Sequence, residues 1–470
     1  MIATFLARFR HAAGLDGAVA FTVLSRVCNI ASSVGSVLLL VRFLSPTEQG
    51  YYYTLLSLVL LQVVFELGFS FVIQQYAAHE SVLCVLPNDG SISGNSKALA
   101  RLASVLQITI RWYLRASVSI AVILLPLGFY FFTHKGQTAV HVAWRGPWVA
   151  VVIASSASFM IAPVYAFLDG CGQIRQIAKV RFAEASAVLS ASWLSMLSGH
   201  GLYAPAAVNS AVVVVGVVFL FRRKGLLSAL LRFPTGIHAV SWRREIWPFQ
   251  WKLAVSWLCT YFITQMFTPI LFATQGPVAA GRMGMSINIV AYLPLLMLSW
   301  ISTKATPFGQ LIKLGKLNEL DHLFFKTFRK SIVMLILAVV ACLFGILVLY
   351  RWFPHFATRI EPPQVFLLLL ATAICTFSVQ SMAIYLRCFK SEPFMPQAVT
   401  VFILTTIGVV LSARKTGALG VAVSYFLSNG LLGVIIATVI FNARRKLYRH
   451  NHTGMEPGIE PIEGSTIAPA

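Results

Sequence analysis

Charge is scarce in this chain of 470 residues: 11% are Asp, Glu, Lys or Arg, against about 25% in an ordinary soluble domain. Acids are the scarcest, 15 Asp+Glu against 37 Lys+Arg, for a formal net charge of +22. With 58% of residues hydrophobic and a mean hydropathy of +0.78, a soluble fold could not hide so much apolar surface. Lipid is the solvent for most of the chain. That excludes a cytosolic enzyme, a secreted disulfide scaffold and a disordered tail protein. Cysteine is also sparse. The seven residues at 28, 84, 171, 259, 342, 375 and 388 form no CxxC pair, and they read as small apolar fillers. No HExxH, GxSxG, Walker A loop or metal-spaced His/Cys cluster is present. His141, His200 and His238 are isolated in loops. The expectation is therefore a protein without catalytic residues, metal or cofactor, driven by an ion gradient or by substrate flux rather than by ATP. The stretch after Arg8 and Arg10 lacks a cleavage site and is too long for a signal peptide, so the first span is expected to stay in the protein.

What the sequence has in abundance is long apolar runs. Twelve are of spanning length: 18–44, 51–76, 112–134, 148–168, 182–200 and 203–221, then 251–273, 283–304, 331–353, 363–386, 396–413 and 417–442. The runs are continuous rather than alternating, which excludes a β-barrel. The weakest is 182–200, which is short and holds Glu184. With the amino terminus inside, 28 basic residues fall in inside segments and eight outside, with Arg26 alone within a span. This alternation predicts a multi-pass inner-membrane protein with both termini cytoplasmic. It also accounts for the basic pI without nucleic acid.

Segment 225–250 mixes Leu226, Leu227, Leu230, Leu231, Phe233, Trp242 and Trp247 with Arg232, Arg243 and Arg244. It predicts an interfacial amphipathic linker between an N-terminal six-helix bundle (1–224) and a C-terminal one (251–442). The tail, 443–470, turns basic and then Pro/Glu/Gly-rich, which predicts disorder. The two halves share a signature. Pro46-Thr47-Glu48-Gln49-Gly50 and Pro277-Val278-Ala279-Ala280-Gly281 lie 231 residues apart and read as short outer turns. Six spans per half then give a parallel internal repeat, with a substrate site between the halves near mid-membrane. The expected fold class is all-α, about twelve transmembrane helices in two related bundles.

Polar groups recur inside the spans. Thr22, Arg26, Asn29 and Ser33 share one face of the first, and Gln62, Glu66, Ser70 and Gln74 one face of the second. In the seventh, Ser256, Thr260, Thr264 and Thr268 repeat every four residues, beside Tyr261 and Gln265. The Ser/Thr stripes are accounted for by helix–helix hydrogen bonds. A mid-span charge is expensive unless paired or wet, so Arg26 and Glu66 point to function. Six residues, Arg26, Asn29, Gln62, Glu66, Tyr261 and Gln265, form the expected substrate site. Arg26 and Glu66 fall at one depth, which allows a pair that protonation of Glu66 would release.

Several motifs resemble those of the polysaccharide (O-antigen, Wzx-type) flippases, part of the multidrug/oligosaccharidyl-lipid/polysaccharide exporter superfamily. They are Arg42-Phe43-Leu44-Ser45-Pro46-Thr47-Glu48-Gln49-Gly50-Tyr51 with Glu66-Leu67-Gly68, Asp169-Gly170-Cys171-Gly172-Gln173-Ile174-Arg175, and Trp247-Pro248-Phe249-Gln250-Trp251. Phe267-Thr268-Pro269 and Gly281-Arg282-Met283-Gly284-Met285 follow in the same order. The resemblance covers roughly residues 18–440. It implies two bundles around a cavity that opens alternately to each side. It also implies an undecaprenyl-diphosphate-linked oligosaccharide as substrate, moved to the outer leaflet for cell-surface polysaccharide such as lipopolysaccharide O-antigen. Membrane lipids, a polysaccharide polymerase and export proteins are the partners it implies. Arg26 would serve phosphate, and the polar stripes with Trp257, Tyr261 and Tyr292 the sugars. Two other readings compete. A drug antiporter of the same superfamily would favour acids in its cavity, and a membrane glycosyltransferase would carry a large catalytic outer loop.

Overall fold

The computed structural model describes residues 17–66, 68–81, 84–85, 92–136, 142–236, 240–242, 247–389 and 392–453. Arg8, Arg10, Leu67, His141, His238, Arg243, Arg244, Lys390 and the tail 454–470 lie outside the described residues, as does the side chain of Arg26. The described chain is nearly all helix; its one ladder pairs Cys84–Val85 with Ser93–Gly94. Nine helices among the described residues are long and apolar enough to cross a membrane. The other three expected spans are also helical. They are Gly17–Phe43, the broken run 46–81, and Ile174–Leu197, which carries Arg175, Lys179, Arg181 and Glu184 in its first half.

Several helices extend past the apolar runs. Ser96–Lys135 starts 16 residues before the third run, so Lys97, Arg101 and Arg111 lie on helix rather than loop. Arg101 there pairs with Glu80 at 2.6 Å. The last helix, Gly433–Thr453, also outruns its span, so 443–453 belong to helix and not to a disordered tail. The reason is an anchor. Arg445 chelates Asp321 at 2.7 and 3.0 Å, Arg449 bonds the same carboxylate, and Tyr385 donates to it at 2.7 Å. Within 225–250, Lys224–Arg232 is a short amphipathic helix that fully buries Leu226 and Leu230. Its end is held by Gln107, which donates to the carbonyls of Leu231 and Phe233 at 3.1 Å. Trp242 then stacks on Trp112 and meets Phe69 edge-on.

The chain divides into two compact units. One holds Met1–Ser286 with the short segments Phe353–Glu361 and Val410–Ala418; the other holds Ile287–Trp352, Pro362–Val409 and Leu419–Ala470. In the first unit, Gly17–Phe43 packs along Ile174–Leu197, with Gly35 against the Trp193 ring and Ser36 hydrogen-bonded to Ser192 at 3.0 Å.

The repeated Pro…Gly signature is not a pair of loops. Both copies are first turns of helices, Pro46–Val59 and Pro277–Ser302. Proline suits the first helical position, where its missing N–H has no partner to lose. Ser45 and Glu48 close a capping box, with bonds of 2.8 and 3.2 Å. The glycines mark where the two helices touch. A Cβ on Gly50 would collide with the Pro277 carbonyl, and one on Gly281 would sit 2.8 Å from the Gly50 nitrogen. One turn on, Gly284 admits the Tyr53 side chain. Gln49, 1% exposed, fastens this crossing. Its amide donates to the carbonyls of Gly281 and Arg359, both at 2.9 Å. Arg359, 6% exposed, donates to the free carbonyls ending the first helix, Leu44 at 2.6 Å and Val41 at 3.3 Å.

Candidate functional site

The second span does not run straight. Its α-helix gives way to a 3₁₀ turn at Leu60–Gln62, resumes for Val63–Glu66, and restarts at Phe69 after Gly68, whose φ is +70°. Only glycine adopts that conformation cheaply. A break inside a span leaves backbone groups without helical partners, and other side chains satisfy them. Tyr261 donates to the Ser57 carbonyl at 2.7 Å, and the Trp112 indole to the Phe65 carbonyl at 3.4 Å.

At the break lies a cavity of about 330 Å³ within the first unit. Gln62 and Glu66 line it from the broken span, and Ser158 and Phe159 from Arg145–Phe159. Tyr165 comes from Ile161–Gly170, Arg181 and Glu184 from Ile174–Leu197, and Val212 from Ala204–Arg222. The fourth span bends at Met160, because Pro163 cannot donate to the Phe159 carbonyl.

The polar groups are held in defined positions. Ser70 hydrogen-bonds Glu66 and sits 3.0 Å from the Tyr113 hydroxyl. Tyr165 donates to Glu184 at 2.8 Å, and the Ser158 hydroxyl lies 2.9 Å from the Asn209 side-chain oxygen. The Arg181 guanidinium acts electrostatically on Glu184. The Gln62 side-chain oxygen is buried without a hydrogen-bond partner. A buried acceptor left open costs about 1–3 kcal/mol, so this atom is poised for a ligand or a water. Two carboxylates against one guanidinium leave the lining one negative charge in excess.

Of the six expected site residues, the structure brings Gln62 and Glu66 together. Tyr261 is buried in its bond to Ser57 rather than lining this cavity. Asn29 is exposed, and its carbonyl accepts from Ser33 at 2.8 Å. Gln265 ends the helix Trp247–Gln265 and does not line the cavity either. Thr260 and Thr264 bond carbonyls of their own helix, at 2.8 and 2.9 Å. Sequence reasoning missed Arg181, Glu184, Tyr165 and Ser158. The signal was there: Arg181 and Glu184 share a helix face at i, i+3, at the start of the weakest run. A second polar cluster, in the other unit, was also missed. The last span widens into a π-turn at Phe426–Leu432, where Ser428 meets Thr405 at 2.7 Å and Asn429 donates to Thr376 at 3.3 Å.

No protein-family model matches the chain, and no curated protein does. Solved structures do. A Vibrio cholerae MATE transporter, VcmN, aligns at TM-score 0.58 and 12% identity, over 95% of this chain and 99% of that one. A multidrug resistance MATE family transporter of the MOP superfamily, in an outward-facing conformation, gives 0.57 and 14%, over 93% and 97%. A Pyrococcus furiosus MOP superfamily transporter gives 0.54 and 11%, over 93% and 97%; the reversed polarity of its binding pocket suggests a different function for it. The likeness spans nearly the whole chain, at identities that speak to the fold alone. This chain has the twelve-helix, two-bundle fold of the MOP-superfamily transporters.

Proposed function

We propose that the chain is an ion-coupled antiporter of a small organic solute, working by alternating access across a bacterial inner membrane. The observation that carries this reading is the small cavity at the broken second span, where Glu66 and Glu184 face a single Arg181. Its excess negative charge is cancelled either by a proton or by a cationic solute, not by both. Binding of one therefore weakens binding of the other, which is the thermodynamic requirement for exchange. Its volume suits a small ligand, and Gln62 offers an open acceptor to orient it. The solved neighbours, multidrug resistance transporters among them, agree with this reading. The test uses proteoliposomes loaded with acid and given a fluorescent organic cation outside. Uptake should accompany proton loss, and Glu66→Gln should cut both at least tenfold. Uptake that moves no protons would overturn the coupling.

A second reading is kept because one observation favours it. The motifs that resemble those of the O-antigen flippases run in order through both halves. In that reading the substrate is a polyprenyl-diphosphate oligosaccharide. Arg26, Asn29, Tyr261 and Gln265 would contact its diphosphate and sugars, with polysaccharide polymerase and export proteins as partners. The same vesicles decide between the two. Flipping of a labelled lipid-linked oligosaccharide, with no cation–proton exchange, selects the flippase.

A further inference from the structure

A second cavity, of about 850 Å³, lies wholly within the other unit. It is lined by Trp300, Thr303 and Lys304 at the end of Pro277–Ser302 and by residues 323–334 of the helix Leu317–Trp352. Four cations face it, Lys304, Lys326, Arg329 and Lys330, and no carboxylate does. None of the four makes an ion pair among the described residues. The acids nearest in sequence are engaged elsewhere, Glu319 with Lys316 at 3.0 Å and Asp321 with Arg445 and Arg449. Lys326 and Lys330 are i, i+4 neighbours, a spacing at which like charges repel.

Three further observations indicate what relieves that repulsion. Beside the cations the lining holds an exposed apolar wall, Trp300, Val333 and Met334. Ser331 is fully buried, yet its hydroxyl has no hydrogen-bond partner. The cavity also straddles the point where the basic stretch ending at Lys330 meets the apolar run 331–353. Only 11% of the most apolar window of this helix is buried by protein, the least among the nine spans. The rest of that window is left for lipid.

We propose that this cavity is a binding site for the headgroup of an anionic membrane phospholipid. The phosphate sits among Lys304, Lys326, Arg329 and Lys330, and the acyl chains run down the wall of Trp300, Val333 and Met334. A free anion would leave that wall unused, and a neutral lipid would leave the four charges unpaired. Lysine and arginine placed at headgroup depth beside a span recognise anionic lipids in this way. The proposal does not depend on what the chain transports.

The experiment is native mass spectrometry, with thermal unfolding alongside, on the full-length protein stripped of lipid in neutral detergent. Phosphatidylglycerol and diphosphatidylglycerol, added back, should be retained and raise Tm by several degrees, whereas phosphatidylcholine should not. Lys326→Ala with Lys330→Ala should weaken retention about tenfold. Lys316→Ala, outside the cavity, should leave it unchanged and controls for loss of one positive charge on the same helix approach. An equal Tm rise from inorganic diphosphate would make this a free-anion site and overturn the proposal. So would equal retention of phosphatidylcholine, unchanged retention in the double variant, or capture of a polyprenyl diphosphate but of neither phospholipid. Both lysines are exposed, so the variants should fold. Failure of the proton-exchange assay leaves this result standing, and the reverse holds too.

Discussion

Gln49 and Gln62 lie thirteen residues apart on the same broken span and do opposite work. Gln49 has its amide bonded to two carbonyls and its oxygen approached by the Arg359 guanidinium. Gln62 is half-buried, and its buried side-chain oxygen is unpartnered, beside Glu66 in a cavity. Buried polar groups are nearly always satisfied. A satisfied one is therefore read as part of the scaffold, and an open one beside a cavity as part of a site. The same segment thus holds a closed fastening at its first turn and an open binding surface at its break.

The hardest way to break the fastening is through the glycine crossing. Gly50→Val should abolish folded protein, because the atom its side chain would strike belongs to the Pro277 backbone and cannot swing away. Overpacking costs about 1–3 kcal/mol where neighbours can yield and more where they cannot. Size-exclusion yield and Tm in detergent would report it. A soluble, monodisperse Gly50→Val protein with native Tm would mean that the two helices do not cross here.

Next in size is the contrast between the glutamines themselves. Gln49→Ala should destabilise by about 3 kcal/mol, since it removes two buried hydrogen bonds, to the carbonyls of Gly281 and Arg359, and the oxygen that faces the Arg359 guanidinium. Exchange by the protein that remains folded should be close to normal. Gln62→Leu should do the reverse: it removes an unpaired acceptor, so Tm should hold or rise while solute exchange falls. If both variants lose stability equally, the distinction between fastening and site is wrong.

Much of this was legible in the sequence. Run length and the alternation of basic loops identify twelve spans, because lipid demands one pattern over about 20 residues. The offset of 231 between Gly50 and Gly281 identified related positions but not their contact, which is long-range. Glu66 was visible as an isolated intramembrane acid. Its neighbours Arg181 and Glu184 were not, because they reach it across more than a hundred residues of chain. Helix ends were misread wherever an anchor rather than hydropathy sets them, as at Asp321 with Arg445.

A titration sharpens the fastening more gently. Glu361 is 4% exposed, and its backbone N–H donates to Ser286 at 3.0 Å. Burial pushes its carboxyl up to about 7, against the opposing pull of Arg282. Arg359 and Glu48 are the other charges of this cluster, and burial lowers the proton affinity of Arg359. A carboxyl whose folded value exceeds its unfolded one binds its proton more tightly in the folded protein. Its contribution is complete below the unfolded value and is lost as pH rises through about 7. Between pH 5 and 8 the loss should be about 2 kcal/mol. Tm should fall over that window, and Glu361→Gln should flatten the fall. A wild-type Tm that rises across the window would reverse the assignment.

The smallest effect is expected where the charges are half in solvent. Asp321 is buried, but its partners Arg445 and Arg449 remain 25% and 43% exposed. Exposed ion pairs contribute about 0–1 kcal/mol, because water screens them and ordering long side chains costs entropy. Asp321→Asn keeps the shape and an acceptor for Tyr385 while removing the charge that holds the last helix. Global stability should drop by about 1 kcal/mol or less. The local effect should be larger, since the Phe389–Tyr448 stack at 4.5 Å, the Arg449–Asn318 bond at 3.2 Å and Arg445 over the Phe325 ring are then left to hold the helix end. Amide exchange across 443–453 should speed up several-fold, with 433–442 unchanged. The double variant Asp321→Asn, Tyr448→Ala should speed exchange further, leaving only the Arg449–Asn318 and Arg445–Phe325 contacts of those named. Unchanged exchange in that double variant would show that helix propensity alone, not the anchor, carries the chain past the end of its last span.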